Sequence, residues 1–365
     1  MDFEKETNRP APDTKIQKPD IQRELAGIWK DVLKIENLSV DDNFFDLDGD
    51  SLHAVDLQTA IEKTFGQKVN VNAILTYPTV ATYAKFLEGE NSKSSYKSLV
   101  PIKSTGNKMP LYIIHGSGYN LTNFVNLAAC LDADQPLYSL QPLGMDGKEE
   151  PYDSIEDIAR VYVSEILKHN PDGPYALAGY SFGGYVAIEM KHQMEDMGKT
   201  LKFIGVSDTD AGVLPYKKKG LRKFPKKVLR QFPKAVFITR SFFNNPSETY
   251  NYQKAFMLKN LKRLFGRTGV SNTIRTDIDL NLDKISLKQQ AALNKYTLNP
   301  FRGQLHLFKA QKRLYFVDEF KYLGWKEFAL DGVIIHEIPG DHRTMFLHPH
   351  VEHLAAMIQA ALDNC

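Results

Sequence analysis

Gly179-Tyr180-Ser181-Phe182-Gly183 is the segment of this chain best suited to covalent chemistry, because a serine between two glycines can stand on a turn too tight for bulkier neighbours. It follows the apolar run YALAGY and opens a stretch of helical periodicity from Phe182 to Met197. A strand turning abruptly into a helix leaves the serine hydroxyl exposed. It also brings backbone donors and the positive end of the helix dipole to the place where an oxyanion forms, with the Phe182 N–H as the first donor. A capping serine in a glycine-rich turn is the plain alternative, and the strand before and helix after weigh against it.

A nucleophilic serine needs a base, and the base needs a carboxylate to orient it. In an α/β-hydrolase arrangement the chain order is serine, acid, histidine, with the histidine after the last strand. His342 in VIIHEIPGDH fits that place. His115 precedes the serine, His336 lies within a strand run, and His348 and His350 flank Pro349 where the last helix begins, so these four are expected in structural or surface roles. For the acid, Asp208 closes the run FIGVSD and is favoured, with Asp210 as the fallback; the run LHLFKA ends in Gln311, Lys312 and Arg313 and offers no carboxylate. The loop HGSGYN allows close backbone approach at Gly116 and Gly118, and the Ser117 N–H is the candidate second oxyanion donor. No complete phosphate-loop pattern accompanies those glycines, which argues against a nucleotide site.

These residues require a scaffold of alternating strands and helices. Strand-like runs at 111–116, 137–142, 175–181, 203–208, 305–310 and 333–340 alternate with helical stretches such as Ser154 to His169, which predicts a mostly parallel, doubly wound sheet. Residues 211–285 lack strand signals and are too long for a loop, so they read as a helical lid. Upstream, apolar residues recur at helical spacing from Ile21 to Leu33 and again after Ser51, and Pro78 precedes a short helix over Thr79 to Leu87. Between the first two helices, NLSVDDNFFDLDGD makes a long loop anchored by Phe44, Phe45 and Leu47. The polar stretch 89–99 separates this helical region, 20–88, from residues 100–365, and residues 1–19 read as a tail or the stub of an upstream linker.

The chain has 365 residues, 42% hydrophobic and 25% charged, with a formal charge of +2, which gives no global case for nucleic acid. Two cysteines, Cys130 and Cys365, are too few for a disulfide framework or a Cys-rich zinc cluster. Neither a membrane-length apolar run nor a signal peptide is present, so a cytoplasmic location is expected.

DNFFDLDGDSL at 42–52 resembles the attachment motif of acyl or peptidyl carrier domains of nonribosomal peptide and polyketide synthases, and residues 100–365 resemble the thioesterase domains that end such assembly lines. The resemblance implies a small all-α four-helix carrier bundle, followed by an α/β-hydrolase domain with a lid. It implies 4′-phosphopantetheine on Ser51 and a Ser181, Asp208, His342 triad that releases the carried acyl or peptidyl chain by hydrolysis or cyclisation. The implied partners are a phosphopantetheinyl transferase and upstream adenylation, condensation or ketosynthase modules, of which this chain would be the C-terminal fragment. One departure stands out: Asp48 occupies the position of the first of the motif's two usual glycines. Independently of the family, an exposed serine opening a helix suits a phosphate ester, although an N-cap is the commonest role for serine there. Twelve acidic and six basic side chains give residues 20–88 a charge of −6, while sixteen basic and one acidic give 216–275 a charge of +15, so the two regions invite electrostatic docking. An esterase for diffusible substrates with an accessory bundle, and a catalytically silent scaffold, are the competing readings.

Overall fold

The computed structural model describes residues 20–49, 51–67, 69, 73–89, 97–117, 122–144, 149–213, 231–244, 246, 250, 254 and 277–365. The N-terminal region carries α1 (Ile21–Leu33), α2 (Ser51–Phe65), α3 (Ala73–Thr76) and α4 (Val80–Leu87). Leu25 and Trp29, four residues apart on α1, both point inward. Trp29 meets Phe44 and Tyr83 edge-on at centroid distances of 5.9 and 5.4 Å. The long α1–α2 loop hangs on the fully buried Phe44, whose N–H donates to the Pro78 carbonyl at 2.7 Å. Thr79 and Thr82 cap α4 reciprocally.

The C-terminal region is built on a seven-stranded sheet among the described residues: β1 (Leu99–Lys103), β2 (Leu111–Ile114), β3 (Leu137–Leu140), β4 (Tyr175–Tyr180), β5 (Leu201–Ser207), β6 (Leu305–Lys312) and β7 (Val333–Asp341). Their order is β1-β3-β2-β4-β5-β6-β7, with β1 antiparallel to β3 and every other pairing parallel. The edge strand β1 is not among the expected strands. Among the described residues six helices accompany the sheet: α5 (Thr122–Cys130), α6 (Ile155–His169), α7 (Phe182–Asp196), α8 (Gln231–Asn244), α9 (Asp277–Lys295) and α10 (His350–Leu362). Alternate strand residues enter opposite cores. Leu111 and Ile113 pack with α5 and α10, whereas Tyr112 and Ile114 pack with α6 and α7. Both faces are therefore covered, the arrangement a parallel sheet requires.

The N-terminal helices join the core on the α5 and α10 face: α2 packs against α5, α3 against β1, and Ser104 Oγ donates to Asp46 Oδ2 at 2.8 Å. Much of the expected lid, residues 214–230 and most of 245–276, lies outside the described residues. Among the described residues no helix is long and apolar enough to cross a membrane.

Candidate active site

Ser181 stands between β4 and α7 with φ +53° and ψ −114°, a conformation costly for a residue with a Cβ and typical of strained functional turns. Neighbouring backbone overdetermines it. Its N–H donates to the Ser207 carbonyl at 3.0 Å, and its carbonyl accepts from the Gly184 N–H at 3.1 Å and from Thr209 Oγ1 at 2.9 Å. The flanking glycines are required by close approach: a Cβ on Gly179 would lie 2.2 Å from the Gly183 carbonyl oxygen, and one on Gly183 2.3 Å from that of Ile114. The turn thus holds the first residues of α7, and the N-terminal pole of that helix, directly behind the serine.

Asp208 follows β5 with φ +49°, and its side chain is 1% exposed. Oδ1 accepts from the Ala310 N–H at 3.1 Å and from Arg313 Nη2 at 2.6 Å. Oδ2 accepts from the Tyr315 hydroxyl at 3.1 Å and pairs with His342 Nδ1 at 2.8 Å. Burial opposes ionisation of this carboxyl, but the His342 hydrogen bond and the Arg313 charge outweigh it and hold its pKa at about 2. An anionic Asp208 accepts from Nδ1–H and leaves Nε2 as the basic nitrogen of His342.

His342 directly follows β7, and the Tyr180 hydroxyl donates to its carbonyl while the Tyr180 and Tyr315 rings flank the imidazole at 5.0 and 5.8 Å. Ser181, Asp208 and His342 thus come from the carboxyl ends of three parallel strands, where open α/β sheets place their sites. All three line one cleft of about 320 Å³, together with Phe182, Ser117 and, from α9, Leu293. Ser117 is exposed, and the rest of its loop, 118–121, lies outside the described residues.

Of the two acid candidates, Asp208 is the one whose carboxylate meets His342; Asp210 also lines the cleft, and its Oδ1 accepts from the Gly212 N–H at 2.9 Å. The remaining histidines have other occupations. His115 is buried between the Gly116 carbonyl (2.7 Å) and the Tyr162 hydroxyl (3.2 Å), and burial pushes its pKa down to about 4. His336 stacks on His306 within the sheet, His348 pairs with exposed Glu352, and His350 opens α10. Sequence reasoning missed Arg313 and Tyr315. The segment after β6 offers no carboxylate, and its useful signal is the opposite charge, Arg313.

Ser51 is the first residue of the fifteen-residue α2, at the end of a loop drawn tight by the Gly49 N–H on the Phe44 carbonyl (3.0 Å). A Cβ on Gly49 would lie 2.4 Å from that carbonyl oxygen. Asp48, in place of the motif's first glycine, has φ +62° and is exposed, so the backbone keeps the glycine-like conformation with the side chain in solvent. A helix N-terminus, whose first N–H groups have no acceptor within the helix, suits a phosphate ester at this position.

Comparison with known proteins agrees with both halves. A family model described as thioesterase domain matches residues 109–362, and one described as phosphopantetheine attachment site matches residues 23–87. Malpibaldin synthetase of Mortierella alpina is 34% identical over 195 residues, 53% of this chain and 4% of that protein. The crystal structure of a holo four-domain nonribosomal peptide synthetase with AMP and glycine bound aligns with a TM-score of 0.56 and 25% identity, covering 99% of this chain and 27% of that one. The NocB thioesterase domain in covalent complex with a fluorophosphonate nocardicin G analogue shares the fold of the larger region at a TM-score of 0.51 and 20% identity, over 73% of this chain and 99% of the other. The chain therefore spans a small fraction of the synthetases it matches. With seven-tenths of its length matching one family behind a recognised attachment region, the chain belongs to the thioesterase domain family and carries a phosphopantetheine attachment site on its N-terminal side.

Proposed function

We infer that this chain holds an acyl or peptidyl group as a thioester on its own N-terminal region and releases it through an ester on Ser181. The observation that carries the reading is the 2.8 Å contact of buried Asp208 with His342, in the same cleft as a serine held at positive φ, on a chain with its own attachment site. Residues 20–88 act as a four-helix carrier bundle, 89–98 as the linker, one residue shorter than expected because Leu99 already belongs to β1, 99–365 as the hydrolase domain and 211–285 as its lid. The Ser51 hydroxyl is the attachment point. When bound there, 4′-phosphopantetheine supplies the thiol that carries the acyl group.

In the first half-reaction His342 Nε2 takes the Ser181 proton as Oγ attacks the thioester carbonyl. The Phe182 and Ser117 N–H groups receive the developing oxyanion, and Asp208 stabilises the imidazolium. The C–S bond then breaks, the thiolate takes its proton from His342, and an acyl ester remains on Ser181. In the second half-reaction His342 deprotonates water or a nucleophile of the acyl chain itself as it attacks the ester carbonyl; the bond to Ser181 Oγ then breaks, His342 returns the proton to Oγ, and an acid or a ring leaves. A phosphopantetheinyl transferase and upstream synthetase modules are the partners this scheme needs, in the cytoplasm.

Intact-protein mass spectrometry tests it. After treatment with a phosphopantetheinyl transferase and acyl-coenzyme A, the mass gain should map to Ser51, and the acyl increment should move to Ser181 and then leave. Ser181→Ala should keep the acyl group on Ser51. A gain absent from Ser51, or release undiminished in Ser181→Ala, overturns the reading.

A further inference from the structure

Arg313 and Tyr315 lie beyond β6, and neither needs to touch a substrate to matter. The Arg313 side chain is 7% exposed and the Asp208 side chain 1%, so their 2.6 Å contact is a buried ion pair. A second guanidinium nitrogen, Nη1, donates to the Tyr315 hydroxyl at 2.8 Å, and that hydroxyl donates to Asp208 Oδ2, the oxygen that faces His342. The three side chains close a ring around the carboxylate. Burial and then the Asp208 charge push the Tyr315 phenol far up, so it stays a donor.

Resting on the proposed catalytic role of Ser181 and His342, we propose that Arg313 and Tyr315 are positioning residues that fix the Asp208 carboxylate toward Nδ1 and offset its charge, so that His342 gives up its proton and becomes a base at lower pH than an uncompensated Asp–His pair allows. The reasoning is electrostatic. A lone buried carboxylate stabilises the neighbouring imidazolium, whereas a guanidinium paired with that carboxylate cancels part of its field in a site of low effective dielectric. The other groups near the imidazole leave this balance to Arg313. Tyr180 and Tyr315 are neutral, Asp341 and Arg343 flank His342 in sequence with opposite charges, and Asp210 lines the same cleft with its charge acting on Arg313. Removing the Arg313 charge therefore leaves Asp208 free to hold the proton on His342 more tightly, and removing only the Tyr315 hydroxyl does so less.

The test is the pH dependence of Ser181 labelling by a fluorophosphonate, followed on the intact full-length chain, because labelling needs the base but not a particular acyl group. Wild type should show a labelling rate rising through an acid limb. That limb should move up by roughly one pH unit in Arg313→Gln and by less in Tyr315→Phe, and Arg313→Lys should restore part of the shift. A merely structural role would lower the labelled fraction or the plateau without moving the limb. Should Arg313→Gln fail to fold, Arg313→Met and Tyr315→Phe carry the same comparison. Limbs coincident with wild type in the folded variants that remove the Arg313 charge or the Tyr315 hydroxyl overturn the proposal, whereas failure of wild type to label at Ser181 overturns the catalytic reading on which it rests.

Discussion

Asp208 concentrates the energetics of the site in one carboxylate. Its pKa falls from an ordinary 3.8 to about 2 in the folded protein. A group depressed in this way contributes stability that is fully present above pH 4 and fades as the pH falls toward 2, an effect of about 2 kcal/mol. Asp208→Asn removes the charge permanently and leaves Arg313 buried without its anion, so the variant should be less stable than wild type by several kcal/mol at pH 6. Protonation makes the wild-type residue resemble the variant, so the gap in urea-unfolding free energy should narrow toward pH 2. A gap independent of pH would mean that shape, and not charge, sets the role of Asp208. The residues of this centre were unequally legible in the sequence. Ser181, Asp208 and His342 could be found because each closes a strand-like run and the three follow one chain order. Arg313 directly follows β6, but it acts on a residue 105 positions away, and nothing in its neighbours announces that pairing.

The elements divide in the same way. The runs that became β2 to β7 are apolar because both faces of a parallel sheet are covered, and that pattern survives without tertiary context. β1 was invisible: it is five residues long, contains Pro101, and sits at an edge, the place in a sheet where proline is tolerated. The β4–α7 turn was legible because its geometry admits so few residues. Its tightest point is testable. In Gly183→Ala the new methyl would meet the Ile114 carbonyl oxygen at 2.3 Å, and backbone cannot swing aside as a long side chain can. The turn must open, at a cost of about 1–3 kcal/mol or more. Because Ser181 rides on that turn, fluorophosphonate labelling should fall by a larger factor than the folded fraction does. A lower urea midpoint with labelling intact would show that the turn absorbs the methyl elsewhere.

At the scale of the molecule, two regions of opposite charge share one chain, and one apolar cluster runs from Trp29 and Phe44 through Ile102 and Phe124 to Ile358. That packing, with the Asp46–Ser104 hydrogen bond, seats the attachment region against α5 and β1. On the proposed reading, a linker of about ten residues with a flexible span of roughly 18 Å would keep the attachment region close to the cleft whenever it left this seat. Its −6 charge and the +15 of residues 216–275 would then bias where it goes, since opposite fields attract across distances comparable to the Debye length. The two contributions respond differently to salt, which screens the charge attraction and leaves the apolar contacts in place. If charge guides delivery, transfer of an acyl group from Ser51 to Ser181 within one chain should slow roughly threefold or more between 0.05 and 1 M salt. Hydrolysis of a small neutral thioester by the same preparation should stay nearly constant. Equal salt dependence for both reactions would place the effect in the cleft, and constant transfer would leave the linker and the apolar seat as the whole of the delivery mechanism.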